Sequence, residues 1–319
     1  MEIEEGQEIV QKMQVEMKKV LLGKPEPVKL TLTGLLADGH VLIEDVPGLG
    51  KTMMVRSLAR AIDGQYRRIQ FTPDLLPGDV TGSHVFNRKR QEFEFEQGPA
   101  FTEIMLADEI NRATPRTQSS LLECMEERQI TSGGETFELP DLFFVAATQN
   151  PVEQQGTFPL PEAQLDRFLL KFSIGYPADA VEREIASINR SSHPVFDVDP
   201  VCKPEKVLEL QELVKNIEIE KSVLDYIVRL VRATRDYDGL ELGASPRASM
   251  ALRRAGQAFA FCEGRDYVTP DDVQKLLHPT LCHRLIVDPR EKMSGTTVND
   301  VIEAIKTDVS VPVEFEPAD

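Results

Sequence analysis

Asp45-Val46-Pro47-Gly48-Leu49-Gly50-Lys51-Thr52 reads as a phosphate-binding loop, and its neighbours on both sides agree. Before it, His40-Val41-Leu42-Ile43 reads as a buried strand; after it, Met53 to Ala61 reads as a helix with Met54, Leu58 and Ala61 on its inner face. Strand, glycine-rich turn and helix are the context that separates a true phosphate loop from a chance match. Gly48 and Gly50 let the backbone curl so that its N–H groups face phosphate oxygens, and the helix opening at Met53 adds the positive end of its dipole. Lys51 is placed to reach the β- and γ-phosphates, and the Thr52 hydroxyl to ligate Mg²⁺. The usual pattern begins with Gly where this chain has Asp45, a residue type that also tolerates turn geometry.

The 319 residues suffice for a sizeable core, and two domains are expected rather than one. A formal net charge of −17 supplies no broad basic footprint for nucleic acid. The longest near-apolar stretch, Leu142 to Ala147, falls far short of a membrane span. Met1 to Gly6 is acidic, unlike a secretory leader. Cys124, Cys202, Cys262 and Cys282 are scattered without a Cys-x-x-Cys pair, so reduced thiols and a cytoplasmic location are expected. His278, Cys282 and His283 resemble metal ligands only superficially, because Pro279 is expected to interrupt helical spacing there.

Apolar residues at helical spacing (Ile9, Val10, Met13, Met17, Val20, Leu21) predict a helix over 7–22 ended by Gly23, and a second helix over 27–38. Strands are expected at Arg67 to Phe71, Glu103 to Ala107, Leu142 to Thr148 and Leu169 to Ile174. This alternation predicts an α/β fold, a parallel sheet covered by helices with its ligand at the carboxyl ends of the strands. Two β-hairpins interrupt it: Val80 to Phe86 with Glu92 to Glu96, and Gln129 to Leu139 turning at Gly133-Gly134. Beyond Tyr176 helices take over, at Asp179–Asn189, Pro204–Lys215, Ser222–Tyr237, Ser245–Cys262 and Pro270–Leu277. The expected division is therefore 1–176 for the nucleotide-binding part and 177–319 for a small all-helical domain, with a Pro/Ser/Asp loop at Ser191 to Cys202 and a frayed acidic end from Val309 to Asp319.

A phosphate loop alone leaves kinase, transporter and GTPase open. Ile104-Met105-Leu106-Ala107-Asp108-Glu109 adds an apolar strand ending in two carboxylates. Asp108 suits Mg²⁺, which retains much of its hydration. Glu109 is placed to polarise water for attack on the γ-phosphate, which a hydrolase needs and a kinase does not. Leu142 to Pro151 is another apolar strand ending in polar amides, where Asn150 would orient the attacking water or touch the phosphate. Leu160 to Phe168 starts a helix at Pro161 and carries Arg167, and Gly243-Ala244-Ser245-Pro246-Arg247 opens a later helix. A guanidinium meeting the developing charge of phosphoryl transfer accelerates it by about 10³–10⁵, which makes both arginines candidates.

In this order the segments "EDVPGLGKT", "MLADEINRATPRTQSSLLECMEE", "AATQNPVEQQGTFPLPEAQLDRF" and "GASPRASMAL" resemble the AAA+ ATPases, and most closely the MoxR family. The resemblance runs from about Val20 to Arg284. It implies a P-loop NTPase (AAA+) core with hairpin inserts followed by a helical lid. Lys51 and Thr52 correspond to Walker A, Asp108 and Glu109 to Walker B, and Asn150 to sensor 1. Arg247 corresponds to the sensor 2 arginine that reports nucleotide to the lid, and Arg167 to an arginine finger completing the neighbouring subunit's site. Leu22-Gly23 matches the backbone near the adenine. Arg112 and Arg116 are further candidates for the subunit interface.

The resemblance further implies ATP and Mg²⁺ as ligands, a homo-oligomeric hexameric ring, and chaperone-like remodelling with a partner that contains a von Willebrand factor A domain. Two other readings compete. One is a nucleotide-gated binding or scaffold module with slow turnover. The other is a DNA-directed motor, whose sole support is the basic hairpin tip Arg88-Lys89-Arg90, since a short charge cluster is usually a solvated loop.

Overall fold

The chain begins with two helices whose apolar faces are set by 3.6-residue spacing. The computed structural model describes residues 1–152, 156–187 and 194–312. Helix α1 (Ile3–Lys18) buries Val10, Met13 and Met17, and α2 (Pro25–Leu36) buries Val28, Leu32 and Leu35. Both lie earlier than the sequence pattern predicts: after α1 the chain turns through Lys19 to Gly23, where Gly23 has φ +68°. A Cβ there would come within 2.8 Å of Val181 Cγ2, so glycine is required on space as well as angle.

Then follow β1 (His40–Glu44), α3 (Lys51–Ala61), β2 (Tyr66–Gln70), α4 (Pro77–Thr81), β3 (Gly82–Asn87), β4 (Glu92–Gln97), β5 (Ile104–Asp108), α5 (Pro115–Glu127), β6 (Gln129–Ser132), β7 (Glu135–Glu138), β8 (Phe144–Gln149), α6 (Glu162–Leu165) and β9 (Phe168–Phe172). Five of these strands form one parallel sheet in the order β2-β5-β8-β1-β9. Its inner strands β5, β8 and β1 are apolar on both faces, as buried parallel strands must be, whereas the edge strand β2 carries exposed Arg67, Arg68 and Gln70. Val41 and Ile43 of β1, Ile104 and Leu106 of β5, and Phe144 and Ala146 of β8 face one core with α1, α2 and α3. Leu42, Met105, Ala107, Val145 and Ala147 face a second core with α5. The alternation places every strand's carboxyl end on the same edge.

Both expected hairpins form, with Val85 opposite Glu94 in β3–β4 and Ile130 opposite Phe137 in β6–β7. Val80, expected in the first strand, is instead the buried residue of α4. The hairpins lean on each other through the stacked rings of Phe95 and Phe137, centroids 4.0 Å apart.

The remainder comprises α7 (Asp179–Ser187), α8 (Pro204–Lys215), α9 (Lys221–Ala233), β10 (Leu240–Leu242), α10 (Pro246–Cys262), α11 (Pro270–Leu281), β11 (Ile286–Val287), α12 (Pro289–Met293) and α13 (Val298–Asp308). It is helical, but two readings need correction. A short antiparallel ribbon, β10–β11, joins the helices; its strands are too short to carry a sequence signal. Helix α11 also continues through Pro279, which is buried in its last turns, so this proline does not end the helix. Its missing N–H removes one hydrogen bond near a terminus, and packing on the core outweighs that loss. Helices α8 to α11 share the first core with α1 and α2 rather than standing apart. The end of the expected Asp179–Asn189 helix, the first part of the Ser191–Cys202 loop, and residues 313–319 of the expected frayed end lie outside the described residues. Among the described residues, no helix is long and apolar enough to cross a membrane.

Candidate nucleotide site and arginine face

The loop from Asp45 to Gly50 joins β1 to α3 and turns at two left-handed glycines, Gly48 and Gly50, both with φ +90°. A Cβ on Gly48 would meet nothing within 4 Å, which leaves open space before the loop. The first turn of α3 presents the amides of Lys51, Thr52 and Met53, which no intrahelical carbonyl can satisfy. Lys51 is buried, with Nζ 2.5 Å from the Asp45 carbonyl oxygen and 3.2 Å from that of Val46. Burial lowers its pKa, opposed by the charges of Asp45, Asp108 and Glu109. Val46, Pro47 and Leu49 complete the curve, and Leu21, the residue before Leu22 and Gly23, lies against it, its Cδ2 3.5 Å from the position of a Gly50 Cβ.

The Asp45 carboxylate points away from the cradle. It accepts hydrogen bonds from the backbone N–H of Ile174 at 2.5 Å and of Gly175 at 3.3 Å. Lys24 holds the same segment from the other side, donating to the carbonyls of Ile174 (2.8 Å) and Tyr176 (2.7 Å). The departure from glycine therefore has a structural reason: the carboxylate ties the phosphate loop to the chain leaving β9.

Asp108 and Glu109 follow at the carboxyl end of β5. Asp108 Oδ1 accepts from the Thr148 hydroxyl at 2.6 Å, and Oδ2 accepts from Arg68 at 2.6 Å. Glu109 has φ +56°, an uncommon backbone for a non-glycine residue, and its N–H donates to Thr148 Oγ1 at 2.8 Å. Its Oε2 accepts from Gln70 Nε2 (2.7 Å) and from Arg112 Nη1 (2.9 Å). Arg68 also donates to Gln70 Oε1 at 2.6 Å, so Asp108, Arg68, Gln70 and Glu109 form one chain of contacts. Arg112, read as an interface candidate, is thus engaged within its own chain. Asn150, one residue past β8, the strand paired with β5, is buried, its Oδ1 accepting from the Val152 N–H at 3.2 Å.

Thr148, Arg68 and Gln70 escape the sequence reading. Thr148 lies two residues before Asn150. Arg68 and Gln70 point to the same face of β2, with Gln70 paired in register to Asp108. That pairing becomes visible only once the strand order is known.

Arg167 and Arg247 lie elsewhere. Arg167 immediately precedes β9, whose first residue, Phe168, pairs with His40 at the start of β1. The phosphate loop leaves the other end of β1, roughly 15 Å away for a five-residue strand. Arg167 donates to the Leu122 carbonyl at 2.5 Å, and its Nη2 is 2.9 Å from Glu126 Oε2. Arg247, in the first turn of α10 behind the Ser245 cap, has Nη2 3.2 Å from Glu126 Oε1. Both line a cleft of ≈ 420 Å³ with Arg128, Arg254 and Arg284. Packing of α10 on α2 and α11 sets Arg247, expected to report nucleotide to the lid, on the same face as Arg167.

The sheet order, phosphate loop, strand-end acids and helical cap define a P-loop ATPase with a lid. The ATPase family associated with various cellular activities (AAA) matches residues 40–170, and the AAA lid domain matches residues 232–305. The chain is 50% identical over 298 residues to the YeaC protein of Bacillus subtilis, covering 93% of each. It is 42% identical over 306 residues to Chaperone MoxR1 of Mycobacterium tuberculosis, covering 93% of this chain and 81% of that one. To Protein MoxR of Paracoccus denitrificans it is 31% identical over 318 residues, covering 92% and 93%. The solved structure of a candidate ATPase from Cytophaga hutchinsonii superposes with a TM-score of 0.88 at 37% identity, covering 97% of this chain and 96% of that one. The chain belongs to the MoxR family of AAA+ ATPases and is an ATP hydrolase.

Proposed function

We propose that this ATPase works as a head-to-tail ring, a hexamer as its family resemblance implies, in which Arg167 and Arg247 of one subunit complete the phosphate site of the next. The observation that carries this reading is the separation of the two arginines from their own phosphate loop across the length of the sheet. A heterologous contact of this kind closes into a ring when its rotation allows.

Within each site, the amides of the 45–53 loop and Lys51 hold the phosphates of ATP. Thr52 and Asp108 supply a hydroxyl and a carboxylate, the hard oxygen donors that suit Mg²⁺. When bound, the ion neutralises charge on the phosphate oxygens. Glu109 takes a proton from the attacking water, which Asn150 orients. Arg68 must yield Asp108, and Gln70 and Arg112 must yield Glu109, for both acids to face the substrate.

The turnover drives chaperone-like remodelling or maturation of a partner protein in the cytoplasm, with a von Willebrand factor A domain protein as the expected associate. The β3–β4 hairpin offers Val85, Phe86 and Phe93 in the open for such contact. A DNA-directed motor is less well supported, because Arg90 of the basic tip is already paired with Glu94 at 2.6 Å. The test is ATP turnover per subunit over a range of protein concentrations, for wild type and Arg167→Ala. Turnover that rises steeply with concentration and is lost in the variant supports a shared site; a flat profile with Arg167 dispensable sinks it. A low plateau even with partner present would favour the slow nucleotide-gated module.

A further inference from the structure

Glu126, in the last turn of α5, places each carboxylate oxygen on a different arginine. Oε2 is 2.9 Å from Arg167 Nη2, and Oε1 is 3.2 Å from Arg247 Nη2. The two guanidiniums come from distant parts of the chain, one leading into β9 and the other opening α10. Their neighbours in the cleft are answered separately: Arg128 by Asp38, Arg284 by Asp166, and Arg254 by the carbonyls of Ala37 and Asp38. Among the described residues, Glu126 bridges the two arginines that the shared-site reading assigns to the next subunit's phosphate.

A carboxylate between two guanidinium forks has the charge sign and acceptor geometry of a phosphate edge, with fewer oxygens and less charge. We infer that Glu126 is a placeholder for the neighbouring subunit's terminal phosphate, a positioning residue that holds Arg167 and Arg247 together in the free subunit and releases them on assembly. The inference rests on the shared-site reading. The Glu126 side chain is 38% exposed and those of Arg167 and Arg247 are 28% and 55% exposed. Ion pairs at such positions are weak and screened. That weakness suits a placeholder: it keeps the arginines from scattering into solvent, yet a more highly charged phosphate displaces it.

The experiment measures ATP turnover per subunit against protein concentration for wild type, Glu126→Gln, Glu126→Ala and Arg167→Ala, with thermal midpoints for each. Removing the placeholder removes the competitor for the arginines. The half-maximal concentration is therefore expected to fall about three- to tenfold in both Glu126 variants, the scale of two exposed ion pairs. A merely structural role would lower the thermal midpoint or the maximal rate and leave the half-maximal concentration in place. Loss of turnover in Arg167→Ala with no shift, or an upward shift, in the Glu126 variants overturns the placeholder and keeps the shared site. Full turnover in Arg167→Ala overturns both.

Discussion

Asp45 Oδ2 accepts the backbone N–H of Ile174 at 2.5 Å, joining the first residue of the phosphate loop to the chain that leaves β9 for the helical region. The same residue donates its own N–H to the Gln149 carbonyl at 3.1 Å, beside Asn150, and its carbonyl receives Lys51. One residue thus connects phosphate loop, the end of β8 and the path to α7, the last through its side chain. Replacing it with the commoner glycine removes the acceptor and leaves a buried N–H unpaired, at a cost of about 1–3 kcal/mol. Asp45→Gly is expected to lower the urea midpoint accordingly, and Asp45→Asn, which keeps an acceptor oxygen, to recover most of it. Equal midpoints for glycine and wild type would remove the carboxylate from this role.

Glu109 is held by Gln70 and Arg112 in a left-handed backbone position that Thr148 stabilises. Glutamine at 109 preserves shape and most hydrogen bonds but cannot take a proton. Glu109→Gln is expected to bind ATP nearly as wild type and to lose turnover by about 10²-fold or more, the usual weight of a general base. Nucleotide titration alongside phosphate release measures both. Unchanged turnover with intact binding would transfer the proton-accepting role to another group.

How much of this was legible beforehand follows from where each signal resides. The phosphate loop, the Asp108–Glu109 pair and Asn150 are contiguous motifs at the ends of apolar runs, and buried parallel strands announce themselves as such runs. Strand positions were therefore close, with ends displaced by a residue or two. Arg68, Gln70 and Thr148 were not legible, because each acts across a strand boundary and depends on the order β2-β5-β8. Glu126 reads in sequence as one of several acids on α5; only the folding of α10 and the start of β9 onto the same edge gives it two arginines. Arg247 is picked out by its motif, but its place beside Glu126 and Arg167 depends on how α10 packs on α2. Pro279 misled because local propensity was weighed without the tertiary contacts that override it.

Buried histidine gives the fold a pH dependence. The His40 pKa is pushed down to about 4, first by burial and further by the charges of Arg128 and Arg254, against the Met125 carbonyl and Asp38. Val145 N–H donates to Nδ1 at 3.1 Å, so Nδ1 must stay unprotonated and Nε2 carries the hydrogen toward the Met125 carbonyl. His283, buried against the Phe168 carbonyl, is lowered in the same direction by burial. The folded state refuses a proton that the unfolded chain accepts below about 6.5. The contribution is therefore complete above about pH 6.5 and is lost as pH falls toward 4, each histidine adding at most about 1.4 kcal/mol per pH unit. Urea unfolding between pH 4 and 7 should show a shallower slope for His40→Gln than for wild type; parallel slopes would contradict the assignment.

The direction of Arg247 can be tested without any structure of an assembly. Lys51→Ala removes the phosphate lysine while leaving both arginines intact, and Arg247→Ala does the reverse. Each protein alone is expected to be nearly inactive. If Arg247 serves the adjacent subunit, an equimolar mixture regains roughly a quarter of wild-type turnover, because one in four random head-to-tail interfaces joins an intact Lys51 to an intact Arg247. If Arg247 serves its own subunit, no interface in the mixture holds a complete site and turnover stays at the level of the separate proteins. The geometry favours recovery: α10 carries Arg247 to Glu126 and Arg167 at the amino-terminal edge of the sheet, whereas Lys51 stands at the carboxyl-terminal edge.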